Sequence, residues 1–394
     1  MLVTDASVIV NELFQEMTGR KDIAVVDNSN IVDIGKTLQG IGAGVDVIFK
    51  KIADRVGKLT IRNKVYEGKF MNIFRDGWEF GNMLQTLRVK SVDAIADPSY
   101  NPVSGQNYPL TQYDALDVVQ KFYQDFDGFQ ITYWRPTDQL WSAFNSMDEM
   151  TRFLTGLEIS IRNGITKRLQ GLAKVAITNM IAQTLHKEFP DGNYEDNSKM
   201  KAVNLLFLYK ATGEAGADAL TPENCRRSQG FLRFAAETIN NWYDRLQDMS
   251  VLFNIDGEEE FSRAEDINLT LLSTFANNLK YNLYNAAGQF DYSLMKLPGY
   301  ETVPYWQASG LGYDEGVISE IHQTIKIGED ETDTIEATGI LAVMHDREAV
   351  AINCERKKVT TFYHPDLDQT KFFDKYLGQY INAFDKNFVV FYVA

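Results

Sequence analysis

Residues 340–352, ILAVMHDREAVAI, set His345, Asp346, Arg347 and Glu348 side by side between two apolar runs. An imidazole next to two carboxylates and a guanidinium could serve as base, acid and anion clamp. The same four residues also suit a change of chain direction. Asp346 is placed to cap a short helix with Arg347, Glu348 and Ala349 as its first turn, where Glu348 favours the positive end of the dipole. His345 would then stand at a strand-to-helix joint. That structural reading accounts for all four residues with ordinary chemistry, whereas catalysis needs partners that no other motif advertises.

The remaining chemistry-bearing residues are scattered. His186, His322, His345 and His364 show no i, i+4 pair and no HExxH, so a zinc site is unsupported. Cys225 and Cys354 lie in no CxxC, which argues against a disulfide framework and for folding in a reducing interior. There is no GxSxG; a triad assembled in space stays open. Glycines 40, 42 and 44 miss the GxGxxG spacing and no Walker lysine follows. Asp191, Asn193 and Glu195 resemble the start of a calcium loop, but Asp196 replaces the required Gly and Ala202 the closing Glu. No catalytic, cofactor-binding or metal-binding residue is assigned, and no cofactor is expected.

The chain of 394 residues is long enough for two or three sub-domains, and 44% apolar with 12% aromatic residues argues against disorder. A net charge of -15 disfavours a dedicated nucleic-acid-binding protein, though it permits contact through a local basic patch. MLVTDASVIV has no basic n-region, and no apolar run reaches the ~18–20 residues that span a bilayer. A soluble chain made inside a cell is expected.

Apolar spacing predicts a helix over 5–19, opened by Asp5 or Ser7, with Ile9, Leu13, Phe14 and Met17 on one side. A second helical pattern runs from Ile31 to Val56, weakened or kinked by GIGAG at 40–44. Residues 58–93 alternate apolar and polar with Gly68, Gly77 and Gly81 as punctuation, which predicts a β-hairpin. Residues 97–109 read as a turn-rich loop and FQITYW (129–134) as a strand. The strongest pattern is 146–187. It opens with the capping box Ser146–Glu149, repeats apolar residues at three- and four-residue steps, and ends on His186 and Lys187 before Pro190. One helix of that length spans ~60 Å, with Gly156, Gly164 and Gly171 as places to bend or to admit a close neighbour.

A buried strand is expected over 202–211 and a helix from Pro222 over about 223–247. Mixed strand and helix signals fill 267–288, and strand-like pieces occur at 317–327 and 338–344. NFVVFYVA at the end must pair inside a sheet to avoid aggregation. Charge is segregated: residues 50–69 hold seven basic and two acidic side chains, residues 256–266 six acidic and one basic, and GEDETDTIE (328–336) is again acidic. Solvated loops explain this; complementary contact between copies of the chain is the sharper alternative.

The order of elements — short arm, basic hairpin, very long helix, mixed α/β insertion, returning strands — resembles the major capsid proteins of tailed bacteriophages, whose α+β fold encapsulins share. WEFGNMLQTLRVKS (78–91) is similar to the extended-loop segment of capsid proteins from small short-tailed phages of Gram-positive bacteria. GILAVMHDREAVAINCERKKVTTFYHPD and INAFDKNFVVFYVA are similar to their C-terminal segment.

The resemblance implies a Hong Kong 97-type fold in five parts. These are an N-terminal arm and helix (1–57), and an extended loop with its lead-in (58–145, hairpin 58–95). A peripheral domain on the spine helix 146–187 follows (146–202), then an axial domain (203–335) and closing peripheral strands (336–394). It implies pentamers and hexamers forming an icosahedral shell around double-stranded DNA. Expected partners are other copies of the chain, a separate scaffolding protein because the N-terminal segment is short, a portal protein, and DNA held non-specifically. No membrane is expected. The implied location is the virion, with assembly in the host cytoplasm. Some members join a Lys to an Asn covalently; Lys64 and Lys69 lie in the loop concerned, where lysines are common by chance. An encapsulin-type compartment and a soluble enzyme are the alternatives.

Overall fold

The computed structural model describes residues 3–19, 28–40, 45–62, 73–74, 84–89, 97, 99–100, 103–106, 118–123, 126–283, 299–307, 316–317, 321–326 and 332–394. Helices α1 (Val3–Thr18), α2 (Asn28–Gly40) and α3 (Val45–Arg62) open the chain. Asp5 and Ser7 therefore lie within α1 and do not cap it, but Ile9, Leu13 and Phe14 are buried as their spacing requires. The pattern over 31–56 is divided between α2 and α3, and residues 41–44 are outside the described set.

Strand β1 (Leu84–Val89) pairs antiparallel with β2 (Val118–Tyr123). The expected hairpin over 58–93 needs correction in part. Residues 58–62 continue α3, and the described partner of β1 is β2 rather than a preceding strand. Lys64, Lys69 and most of that stretch lie outside the described residues. Next come β3 (Phe126–Pro136), α4 (Thr137–Ala143) and α5 (Met147–Glu188).

Helix α5 has 42 residues, ~60 Å at 1.5 Å per residue. Ser146 caps it, accepting from the Glu149 amide at 3.2 Å, and His186 and Lys187 occupy its last turn. At Gly164 the Ile131 side chain of β3 comes so close that a Cβ would have to displace it.

Beyond α5 lie β4 (Ala202–Asn204), α6 (Leu205–Ala211), α7 (Gln229–Arg245), β5 (Ile267–Leu272) and α8 (Ser273–Leu283). The strand expected over 202–211 is only three residues long. The Asn204 side chain accepts from the Phe207 amide and starts a helix there, a competing local cap that apolar content alone does not reveal. The helix expected from 223 begins at Gln229, because residues 225–227 form a tight 3₁₀ turn first.

The chain then forms β6 (Tyr300–Val303), β7 (Trp306–Gln307), β8 (Gly316–Val317), β9 (Ile321–Lys326), β10 (Thr332–Ala337), β11 (Ile340–Asp346), β12 (Val350–His364), β13 (Gln369–Asn382) and β14 (Phe388–Tyr392). Part of the acidic run at 328–336 is thus strand, since Thr332–Glu336 form the body of β10 paired with β9.

Two sheets organise the molecule. One has five strands in the order β4-β14-β11-β5-β6, and the other has three antiparallel strands in the order β12-β13-β3. The terminal strand β14 sits between β4 and β11 with all five residues buried, as its apolar run requires. Every second residue of β13 from Thr370 to Gly378 is buried, and α5 lies against this inner face, where Gly378 meets Leu172; beyond it Gln379 and Ile381 are buried on the opposite face. Aromatic stacking of Tyr133 on Phe372 (4.8 Å) and Phe129 on Tyr376 (5.4 Å) joins β3 to β13. A continuous buried core runs from α1 through α5 to β14.

Candidate functional site

The HDRE run lies at the corner where the chain leaves the five-stranded sheet through β11 and enters the three-stranded sheet through β12. No helix follows Asp346; residues 347–349 are a turn. The Asp346 side chain accepts from the Glu348 amide at 2.7 Å and its carbonyl from the Ala349 amide at 3.0 Å. The carboxylate thus does the same job that a helix cap would do, but β12 resumes too soon for a helix to propagate.

Each member of the run is held by its own neighbours. The Asp346 amide donates to the Asn387 carbonyl at 2.9 Å and the Arg347 amide to the Asp266 carbonyl at 2.7 Å. Glu348 forms an ion pair with Lys386 at 3.0 Å. His345 is fully buried, stacks on Phe388 with ring centroids 5.8 Å apart, and has Nδ1 2.8 Å from the Asp346 carbonyl oxygen. A carbonyl only accepts, so Nδ1 carries the proton and Nε2 of the neutral ring has a lone pair. Burial holds the imidazole below its ordinary pKa, outweighing the nearby Asp346.

A cavity of about 420 Å³ adjoins this corner, bordered by Tyr243, Asn268, Thr270, Tyr300, Glu301 and His345. His345 Nε2 and Asn268 Nδ2 are both buried without a hydrogen-bond partner, on residues that are directly opposed across β11 and β5. Neither nitrogen is accessible, and among the described residues the titratable side chains that share the cavity wall with His345 are Tyr243, Glu265, Tyr300 and Glu301. The backbone pairings at this corner set β11 between β14 and β5.

The other candidates stay apart. His186 lies 3.5 Å from Asp333, at the junction of α5 with β10, and the His322 side chain is outside the described set. Burial pushes the Cys225 thiol up to about 11 and the Cys354 thiol up to about 12, the opposite of nucleophile activation. Asp191, Asn193 and Glu195 fall in exposed or half-exposed turns after α5, and among the described residues no group of three metal-ligating side chains occurs.

A match to a family model decides what such a scaffold belongs to. The model described as Phi29-like phage major capsid protein covers residues 7–392.

The chain belongs to this family.

No curated protein matches it. Solved structures similar to this capsid protein include the capsid of Staphylococcus phage Andhra, at 12% identity and a TM-score of 0.47, covering 83% of this chain and 84% of that one. The mature capsid of bacteriophage PhiM1 follows at 10% identity and 0.42, covering 84% and 88%. A virus-like particle from Pyrococcus furiosus stands at 9% and 0.36, covering 85% and 96%. All three TM-scores are below 0.5, so the family assignment rests on the sequence match.

For a capsid protein the consequential side chains are those that lock its elements together, and two clusters escaped sequence reasoning. In the first, Arg356 of β12 bridges the fully buried Asp374 (3.0 Å) and Asp54 of α3 (2.7 Å), while Tyr376 donates to Asp374 at 2.6 Å. Burial raises the Asp374 carboxyl above its ordinary value, and Arg356 opposes that rise. Asp374 occupies an inward position of an alternating strand, a signal that period-two reading of KFFDKYL does carry.

In the second cluster Arg88 of β1 and Lys121 of β2 meet Asp385, at 3.9 and 3.3 Å. Arg88 also pairs with Glu260 at 3.2 Å and Lys121 with Asp256, and Lys386 reaches Glu260 at 3.1 Å. These contacts fasten the β1–β2 ribbon to the body of the chain. They join residues up to 297 positions apart, so nothing local announces them. They also show that part of the 256–266 acidity is neutralised within the same chain. Likewise Lys51 and Arg55 pair with Glu16 of α1, both at 2.7 Å.

Proposed function

We propose that this major capsid protein builds an icosahedral shell from pentamers and hexamers around a double-stranded DNA genome, and that it does so without catalysis. The family match over residues 7–392 carries the reading. The HDRE corner supports the non-catalytic part, because all four of its residues hold strands or the turn between them. The fold would be of the Hong Kong 97 type. Helix α5 and the three-stranded sheet would form the peripheral domain and the region 203–335 the axial domain. The five-stranded sheet, which draws strands from both, would join them. The extended loop would lie within 58–95.

Partners in this reading are other copies of the chain, a separate scaffolding protein, a portal and non-specifically held DNA. The chain would assemble in the host cytoplasm and end in the virion. Among the described residues no helix is long and apolar enough to cross a membrane. Electron microscopy of the purified chain, expressed with and without a scaffolding protein, tests the proposal. Closed shells tiled by hexamers and pentamers are expected. A monodisperse monomer or dimer under both conditions would overturn it.

A further inference from the structure

The three-stranded sheet has one face on α5; on the other face Ala351 and Ile381 are buried beside Tyr123 of β2 at the Asn382 end, while among the described residues the Gln369 end carries half-buried and exposed side chains. Alternation assigns Trp134, Lys371, Phe373, Lys375, Phe362 and Lys358 to that outer face. Phe362, Lys371 and Trp134 form one cross-strand row, with the phenyl ring 56% and the indole 43% exposed. The Lys371 ammonium lies 4.8 Å from the Trp134 ring and 5.1 Å from the Phe373 ring, so the row is aromatic and cationic together. Two rows along, Lys358 stands directly opposite Lys375. Like charges facing each other across a strand pair are unfavourable in an isolated sheet, and an anionic surface laid over them removes the repulsion.

The same chain carries a surface of opposite character. Backbone hydrogen bonds between Ser250 and Glu260, at 3.0 and 3.1 Å, close a knuckle after α7. It exposes Met249 (57%), Val251, Leu252 and Phe261. Residues 248–266 hold seven acidic side chains against Arg263; Asp256 and Glu260 are paired with Lys121, Arg88 and Lys386 of the same chain, and Asp248, Glu258, Glu259, Glu265 and Asp266 keep the segment acidic. Exposed apolar residues grouped inside a charged rim are the usual composition of a contact surface.

We infer that the acidic, apolar knuckle at 248–266 of one copy docks on the lysine and aromatic outer face of the β12-β13-β3 sheet of a second copy. The contact is head-to-tail, since the two surfaces differ, and repeats of such a contact form a ring when the rotation between copies closes. A second copy is favoured over nucleic acid as the occupant because the face offers exposed apolar rings beside its lysines and the chain itself supplies a matching apolar, acidic partner. The inference rests on the shell-forming reading above.

The test places a photoreactive benzoylphenylalanine at position 362, and separately at Thr360, in particles assembled by the full chain. Irradiation followed by mass spectrometry is expected to yield two-copy adducts joining position 362 or 360 to a peptide within 248–266. Adducts to any other segment, adducts to DNA, or none in intact particles would overturn the inference and leave the shell reading standing. Failure of the unmodified chain to form particles would overturn both. In parallel, Lys358→Glu with Lys375→Glu is expected to give a folded chain, by circular dichroism, whose particle yield falls about ten-fold; an unchanged yield counts against the contact.

Discussion

At His345 the fold selects one protonation state. The ring is buried and neutral, and its pKa is held below the ordinary value, so the unfolded chain binds the extra proton more readily than the folded one. Stability that is fully present above the unfolded value, about 6.5, is therefore lost as pH falls below it. Urea unfolding of the wild type should show a falling midpoint between about pH 7 and pH 5, and His345→Gln should flatten that slope. An equal slope in both proteins would show that another group is responsible. Arg356 gives a second prediction at this scale. Arg356→Met leaves Asp374 buried beside an apolar chain, and the loss should be about 3–5 kcal/mol in equilibrium unfolding. Adding Asp374→Asn should recover part of it, because the amide needs no countercharge.

Among the elements, the β1–β2 ribbon is tied to the body of the chain by charged side chains. Its outward residues Val89, Val118 and Phe122 are exposed, and Arg88 and Lys121 tie it to Asp385, Asp256 and Glu260. Asp385→Asn weakens two of those ties at once. Amide exchange at 84–89 and 118–123 should speed up about five-fold, equivalent to about 1 kcal/mol, with α5 unaffected. Added salt should produce a similar change in the wild type, because partly exposed pairs are screened. For α5, Ser146→Ala removes the one side-chain cap and should cost about 1 kcal/mol. A thermal melt of the two proteins decides it.

Over the whole molecule, the chain end is structural. β14 is an inner strand, and removing residues 388–394 would expose β11 and β4 together with the core side chains that Phe388 and Phe391 cover. The truncated chain should be insoluble on expression, which a soluble-fraction assay reads directly. Close by, Gly339 has φ +75°, and a Cβ there would run into the Val393 carbonyl. Gly339→Ala should therefore destabilise the same sheet, both through the strain of a positive φ and by pushing Val393 away from its place.

Periodicity determined the parts whose signal is local: α5 with its Ser146 cap, the buried sides of α1, α2 and α3, and the obligatory pairing of β14. The capping role of Asp346 was also legible, because an Asp side chain that accepts from an amide two or three residues on acts the same way in a turn and at a helix start. What that run could not declare was which of the two follows, since β12 is held by pairing with β13 and not by its own sequence. Only the tertiary structure joined Arg356 to Asp54 and Asp374, and Arg88 and Lys121 to Asp385. Those partners meet because sheets bring distant strands together, and the Coulomb attraction that makes them matter depends on distance in space rather than separation along the chain.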